Sequence, residues 1–173
     1  MTLLDLLVDF ARTGRLGPLH CGMPLAEAEE LLGPGHPHPA IRMKGPDIDG
    51  YPYTWGGLSL DVTRRAVSSI GLFFCPGSTI EIPAPVLPAA GPVAATVARE
   101  ELIAAFDAAG CRHAVRGVLT FGRQSCVVTQ PAEVSSVFVL PGRNDPVPDR
   151  ERHYLRAMNT HRIPTEPVDA ALG

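Results

Sequence analysis

Residues 58–74 read LSLDVTRRAVSSIGLFF. Leucine or valine alternates with a polar residue from Leu58 to Thr63, as in an antiparallel strand with one buried face. A second strand is predicted at 67–74, where Ile70, Leu72 and Phe74 share one face, and Arg64-Arg65-Ala66 between the two strands is the predicted turn. The stretch therefore predicts a β-hairpin, and hairpin-linked strands form antiparallel sheets.

The rest of the chain carries the same two kinds of element. Apolar residues at helical spacing, ended by Gly14, Gly33 and Gly110, predict helices. The predicted helices are 2–13, 24–32, 96–109 and an Arg-rich 150–160; the predicted strands are 40–44, 51–55, 58–63, 67–74, 78–82, 114–121, 125–129 and 134–140. The predicted fold class is α+β, an antiparallel sheet with helices packed on one face.

The two halves of the chain match locally. Val67-Ser68-Ser69-Ile70 recurs as Val134-Ser135-Ser136-Val137, and in each half a helix and a glycine precede the strands. A tandem duplication of one unit and two independent α+β segments both account for this order. The predicted organisation is a first α+β unit at 1–82, a Pro/Ala-rich linker at 83–95, a second α+β unit at 96–142, and a C-terminal helix and tail at 143–173.

Composition and charge exclude several classes of partner. The 173-residue chain is 45% hydrophobic and has a formal net charge of −3, with one lysine against fourteen arginines. Binding to a phosphate backbone needs a basic surplus, so nucleic acid is excluded as the main partner. No run approaches the roughly 18 apolar residues of a membrane span, and no secretory signal is recognisable. We therefore expect a cytoplasmic protein that does not bind membranes.

Motifs for catalysis and for cofactor binding are missing from the sequence. The chain has no GxxxxGK[ST], HExxH or GxSxG run, and no GxGxxG run after a strand. Its histidine cluster, His36-Pro37-His38, supplies two ligands where a metal site needs three or four. The four cysteines are widely spaced and are expected to be buried thiols rather than disulfides. The prediction is a non-enzymatic protein without a metal or a cofactor.

An aromatic ladder marks the strand predicted at 51–55. Tyr51, Tyr53 and Trp55 share one face of that strand. They either pack in the core or form an exposed platform, because tyrosine and tryptophan are enriched at binding hot spots. Four charged residues of neighbouring turns are expected to form a polar rim: Asp47, Asp49, Arg64 and Arg65. These seven residues are the predicted protein-binding surface.

Part of the chain resembles known protein families. Gly22-Met23, Glu29-Glu30 and Leu32-Gly33 precede the run YTWGGLSL at 53–60 and the hairpin that follows. This order resembles the repeat unit of β-lactamase-inhibitor and outer-membrane-assembly lipoprotein folds, and also small actinobacterial immunity proteins of toxin systems. The resemblance covers residues 14–75, implies a binding module and carries over no catalytic residue. Unlike the lipoproteins, the sequence shows no export signal and no lipidated cysteine.

Three functions remain open from the sequence. The leading hypothesis is a cytoplasmic immunity protein, monomeric or homodimeric, that neutralises a partner toxin by occluding it. The alternative is a small-molecule-binding domain or a small enzyme of unfamiliar type, with a pocket near His20, Cys21 and Cys111. The third is self-association through an exposed edge of the sheet.

Overall fold

The computed structural model describes residues 1–88 and 91–161. Its helices are α1 (Leu3–Thr13), α2 (Leu25–Leu32), α3 (Pro39–Lys44) and α4 (Arg99–Ala108), with one 3₁₀ turn at Gly117–Leu119. Its strands are β1 (His36–Pro37), β2 (Tyr51–Trp55), β3 (Leu58–Thr63), β4 (Ala66–Phe73), β5 (Thr79–Ile80), β6 (Val93–Ala94), β7 (Arg112–Val115), β8 (Gln124–Gln130), β9 (Ser135–Val139) and β10 (Tyr154–His161).

The hairpin predicted at 58–74 is confirmed and lies in the middle of the sheet. β3 pairs antiparallel with β4, and Leu60 lies opposite Ile70 in the buried row. Arg64 and Arg65 form the two-residue turn with φ angles of 52° and 61°. Such left-handed positions match the right-handed twist of the strands but usually carry asparagine or glycine.

Eight strands form one antiparallel sheet in the order β1-β2-β3-β4-β10-β9-β8-β7. The first half of the chain contributes the meander β2-β3-β4, and the second half contributes β7-β8-β9. β10 lies between the two meanders and pairs with β4 on one side and β9 on the other. The fold class is α+β, as predicted.

The C-terminal helix predicted at 150–160 is wrong, because β10 begins at Tyr154 and residues 150–153 form the turn and irregular segment before it. Leu155 and Met158 are both fully buried although they are three residues apart, a helical spacing. The spacing arises from a bulge at Arg156, where the register shifts between Leu155 and Ala157. Pairing with two distant strands therefore determines the conformation. The extended tail is predicted from residue 161 onward; His161 belongs to β10, and 162–173 lie outside the described residues.

Two shorter predictions also need correction. The strand predicted at 40–44 is helix α3, because Pro39 suits a first turn and the Nδ1 atom of His38 accepts a hydrogen bond from the backbone N–H of Ala40 at 3.2 Å. The strand predicted at 114–121 ends early, since β7 stops at Val115 and the 3₁₀ turn follows.

Helix α1 forms at the predicted position with the predicted cap. The hydroxyl of Thr2 accepts a hydrogen bond from the backbone N–H of Asp5, and the Asp5 carboxylate accepts one from the backbone N–H of Thr2. Hydrogen bonds from Thr2 to the Asp5 carboxylate, first of all from the Thr2 backbone N–H, hold the pKa of Asp5 below its usual value. Gly14 ends the helix in the left-handed conformation, with a φ of 69°.

The core lies between the helices and one face of the sheet. Leu7 and Phe10 of α1 are fully buried there with Leu102 and Phe106 of α4. The segment predicted as a linker at 83–95 adds further buried residues, namely Val86, Leu87 and Ala95. Ile80 of β5 pairs with Val93 of β6 in a separate two-stranded sheet, where the sequence predicted an edge strand at 78–82. Both predicted units therefore contribute to one sheet and one core.

The helices of the described chain are short. None of them combines the length and the apolar character that crossing a bilayer would require.

Candidate functional site

The predicted aromatic platform is largely buried. Tyr53 is 7% exposed and Trp55 is 8% exposed, and both belong to the hydrophobic core. The indole Nε1–H of Trp55 donates a hydrogen bond to the Gly33 carbonyl at 2.9 Å, so its polar atom is satisfied inside the protein. Tyr51 is half-buried and its ring stacks on His38 at 5.1 Å. Tyr53 and Trp55 therefore take the core position, and they do not form an exposed platform.

The predicted polar rim does come together at the turn between β3 and β4. A carboxylate oxygen of Asp49 accepts a hydrogen bond from the backbone N–H of Arg64 at 2.6 Å. The guanidinium of Arg65 reaches the Pro46 carbonyl at 3.5 Å, and Asp47 is exposed in the same loop. The carboxylate of Asp49 thus holds the loop 45–50 against the hairpin turn.

The predicted pocket is only partly assembled. His20 and Cys21 line a cavity of about 220 Å³ together with polar residues that include Thr13, Arg15 and Thr160. The Cys21 thiol donates to the Ser68 carbonyl, with the sulfur 3.6 Å from the oxygen. His20 Nδ1 lies 3.1 Å from the Cys21 carbonyl oxygen.

Cys111 is not part of this cavity. It is buried just beyond α4, where its backbone N–H donates to the Phe106 carbonyl at 2.8 Å. The structure therefore brings together two of the three residues predicted to line one pocket. Within the described part of the chain, no three His, Cys, Asp or Glu side chains are placed to hold a metal ion.

A different surface has the exposed apolar side chains that the aromatic ladder lacks. Among the described residues, eight large hydrophobic side chains are exposed; three of them lie between β7 and β8, and a fourth is the last residue of β7. We call this group the β7–β8 tip: Val115, Val118, Leu119 and Phe121. Val118 is 81% exposed and Phe121 is 63% exposed. Clustered apolar side chains on a surface are typical of interaction sites, whereas single ones are common anywhere.

Hydrogen bonds hold the β7–β8 tip in one shape. Phe121 and Gln124 exchange backbone hydrogen bonds of 3.1 and 2.9 Å, which close a tight turn at Gly122-Arg123. The side-chain amide of Gln124 donates to the Leu119 carbonyl at 2.9 Å. The Thr120 hydroxyl accepts from the backbone N–H of Cys126 and donates to the Arg116 carbonyl. The backbone of the tip is thus internally paired while its apolar side chains face water.

The charge around the β7–β8 tip is opposite to that of the whole chain. Residues 108–132 contain three arginines and no aspartate or glutamate, although the formal net charge of the protein is −3. The three are Arg112 on β7, Arg116 before the 3₁₀ turn and Arg123 in the tight turn, and all three are exposed. The guanidinium of Arg123 donates to the Pro141 carbonyl, which fixes that side chain against the end of β9. Arg116 and Arg123 therefore give the apolar tip a basic rim, whereas Arg112 lies at the other end of β7 and lines a surface cavity with Asp107.

Comparison of the chain with protein-family models, with curated proteins and with solved structures finds no match in any of the three. The properties of the residues themselves therefore carry the assignment of the site.

Sequence reasoning missed the β7–β8 tip for a specific reason. The strand prediction at 114–121 fits Val115, Leu119 and Phe121. These residues are an even number of positions apart, as are side chains on one face of a strand. Two signals indicated a turn instead: Val118 breaks the alternation, and Gly117 and Gly122 flank Val118, Leu119 and Phe121. Glycines at such positions are typical of turns, so an ordered turn with outward apolar side chains is consistent with the sequence.

Proposed function

We propose that this protein is a protein-binding module that docks on its partner through the β7–β8 tip. The observation that carries the proposal is the exposure of Val118 and Phe121 in a turn whose backbone is already ordered. Burying such a side chain at an interface is worth about 1.5–3 kcal/mol. Because the backbone of the turn is already hydrogen-bonded, less conformational entropy is lost on docking than for an open loop.

The basic rim supports a partner whose contact surface is acidic as well as apolar. Arg112, Arg116 and Arg123 would speed the encounter with such a surface and disfavour basic partners. The resemblance of residues 14–75 to immunity proteins supports a more specific form of the proposal. In that form the partner is a toxin produced in the same cytoplasm, and the module occludes its active surface.

A matched pair of variants tests the proposal. Val118→Ser/Phe121→Ser removes the two most exposed apolar groups of the tip, whereas Met43→Ser removes a 78% exposed side chain on α3. Tagged wild-type protein captures partners from the native lysate, and the affinity for the purified partner is then measured with each variant. Losing two hot-spot side chains weakens binding by about thirtyfold or more.

The two variants must differ for the proposal to stand. We expect the Met43→Ser protein to bind like the wild type and the tip variant to bind weakly. A partner bound equally by both variants, or the absence of any stoichiometric partner, would overturn the proposal. The toxin form makes one further demand: the captured partner arrests growth when it is expressed alone, and co-expression of this protein restores growth.

A further inference from the structure

The two edges of the eight-stranded sheet differ in their capacity to accept another strand. β1 is two residues long and includes Pro37, which has no N–H to donate. β7 is four residues long and contains no proline. Among the strands of the described residues, only β8 pairs with β7, so the outer side of β7 presents its main-chain groups.

The hydrogen bonds between β7 and β8 show which main-chain N–H and C=O groups of β7 point to the free edge. Arg116 donates its backbone N–H to the Cys126 carbonyl at 2.9 Å, directly after β7. Residues of an antiparallel strand alternate between pairing inward and pointing outward. Ala114 therefore pairs inward like Arg116, and the N–H and C=O groups of His113 and Val115 point to the free edge.

Side chains alternate across the same strand. His113 faces the helices, because its ring lies 5.9 Å from that of Phe106 in α4, and Val115 shares that face. Arg112, Ala114 and Arg116 line the opposite face, where two guanidinium groups stand on either side of a small residue. An incoming strand would thus meet an apolar neighbour on one face and positive charge on the other.

We propose that the partner inserts an extended segment of alternating acidic and apolar residues, which pairs with β7 as a ninth strand. The inference rests on the proposed function, since the β7–β8 tip continues directly from β7 and would contact the same partner. The main-chain groups of His113 and Val115 give the segment its hydrogen bonds. Its acidic side chains lie beside Arg112 and Arg116, and its apolar side chains lie beside Val115.

The charge of this edge favours a foreign segment over a second copy of the chain. Two β7 strands paired antiparallel would place Arg112 and Arg116 of one copy beside the same residues of the other. Like charges at neighbouring cross-strand positions destabilise pairing. An acidic segment meets less repulsion, because residues 108–132 carry no carboxylate and the nearby Asp107 carboxylate lies by His113, 3.8 Å from its Nδ1 atom, on the face opposite Arg112 and Arg116.

A synthetic peptide tests the pairing directly. The probe is a nine-residue peptide that alternates valine with aspartate, and its control alternates valine with lysine. We expect the acidic peptide to slow hydrogen exchange at the amides of His113 and Val115, and to bind about tenfold more tightly than the control at low salt. No change at these amides with millimolar peptide, or equal effects of both peptides, would overturn the inference.

A proline variant separates this inference from the proposed function. Val115→Pro removes an outward N–H and leaves the β7–β8 ladder intact, whereas Val115→Thr keeps the N–H and the branched shape. We expect the proline variant to bind both the peptide and the captured partner about tenfold more weakly than the threonine variant. Circular dichroism checks that both variants fold.

The outcomes of the two experiments are distinguishable. If the Val118→Ser/Phe121→Ser variant loses the partner and Val115→Pro binds like Val115→Thr, strand addition is wrong and the proposed function stands. If the tip variant keeps the partner, the proposed function itself fails.

Discussion

Thr129 on β8 donates its hydroxyl proton to the backbone carbonyl of Ala11 on α1, with 2.6 Å between the two oxygens. The two residues are 118 positions apart and both are fully buried. The carbonyl of Ala11 lies in the last turn of α1, where no later helical N–H can pair with it. The bond therefore completes the N-terminal helix with a side chain from the second half of the chain.

We expect Thr129→Val to destabilise the protein by about 1–3 kcal/mol. Valine has nearly the shape of threonine, so the main loss is a partner for the buried Ala11 carbonyl. Urea denaturation measures the change. The control is Thr54→Val, since the Thr54 hydroxyl is more accessible and its bond to the His36 carbonyl is long, at 3.4 Å. Equal effects of the two substitutions would contradict the role given to Thr129.

Trp55→Phe is expected to lower the free energy of unfolding by about 1–3 kcal/mol, because the Gly33 carbonyl loses the indole N–H. Tyr51→Phe is the control, and it should change stability by less than about 0.5 kcal/mol, as surface substitutions usually do. Circular dichroism during thermal unfolding measures both. If Trp55→Phe were as stable as the wild type but bound its partner poorly, Trp55 would be a contact residue rather than a core residue.

Arg65→Gly is expected to stabilise the hairpin by about 0.5–1 kcal/mol. Arg65 has a φ of 61°, a conformation that glycine adopts at no steric cost. Arg42→Gly in α3 should have the opposite effect, since glycine inside a helix is destabilising. Chemical denaturation of each variant measures whether its free energy of unfolding rises or falls. A loss of stability in Arg65→Gly would mean that the contacts of the arginine side chain stabilise the protein by more than its positive φ destabilises it.

The thiols should differ in reactivity. Cys75 is exposed and Cys126 is buried, and burial raises the pKa of the Cys126 thiol. We expect iodoacetamide to alkylate Cys75 in the folded protein and Cys126 only after unfolding, because the thiolate is the reactive form. Mass spectrometry of the digested protein shows which cysteine is alkylated first. Labelling of Cys126 in the folded protein would contradict the prediction.

The raised pKa of Cys126 also sets a pH dependence. The folded protein keeps this proton to a higher pH than the unfolded chain does, so the contribution to stability is fully present below the usual thiol pKa of about 8.5 and is lost as the pH rises through the folded-state pKa. Stability should therefore fall in alkaline solution. In Cys126→Ala, denaturation curves across this range should show a smaller fall.

Val118→Ser/Phe121→Ser should reduce the binding of an apolar dye without reducing stability. Both side chains are exposed in the folded protein, so replacing them removes apolar surface from water and no core contact. Fluorescence of anilinonaphthalene sulfonate measures dye binding, and the midpoint of urea denaturation measures stability. A lower midpoint would show that the β7–β8 tip packs against the protein instead of facing water.

Local sequence patterns predicted much of the fold and little of the site. The alternation in residues 58–74 and the cap of Thr2 on Asp5 depend on neighbours in the chain, and both features are confirmed. Neighbouring residues could not show whether Trp55 faces the core or water, because the burial of a strand face depends on which distant elements pack against it. The β7–β8 tip was missed because its exposure depends on which strands occupy the edge.

The sequence alone determined the α+β class, the main hairpin and the N-terminal helix, since period and capping act over a few residues. Only the tertiary structure decided that β10 is a strand and that it joins the two halves. Its pairing depends on distant partners: the Ser69 hydroxyl donates to the Thr160 carbonyl at 2.9 Å across 91 positions. Such contacts outweigh the local helical spacing of Leu155 and Met158, because a central strand is paired on both sides and its apolar side chains are buried in the core.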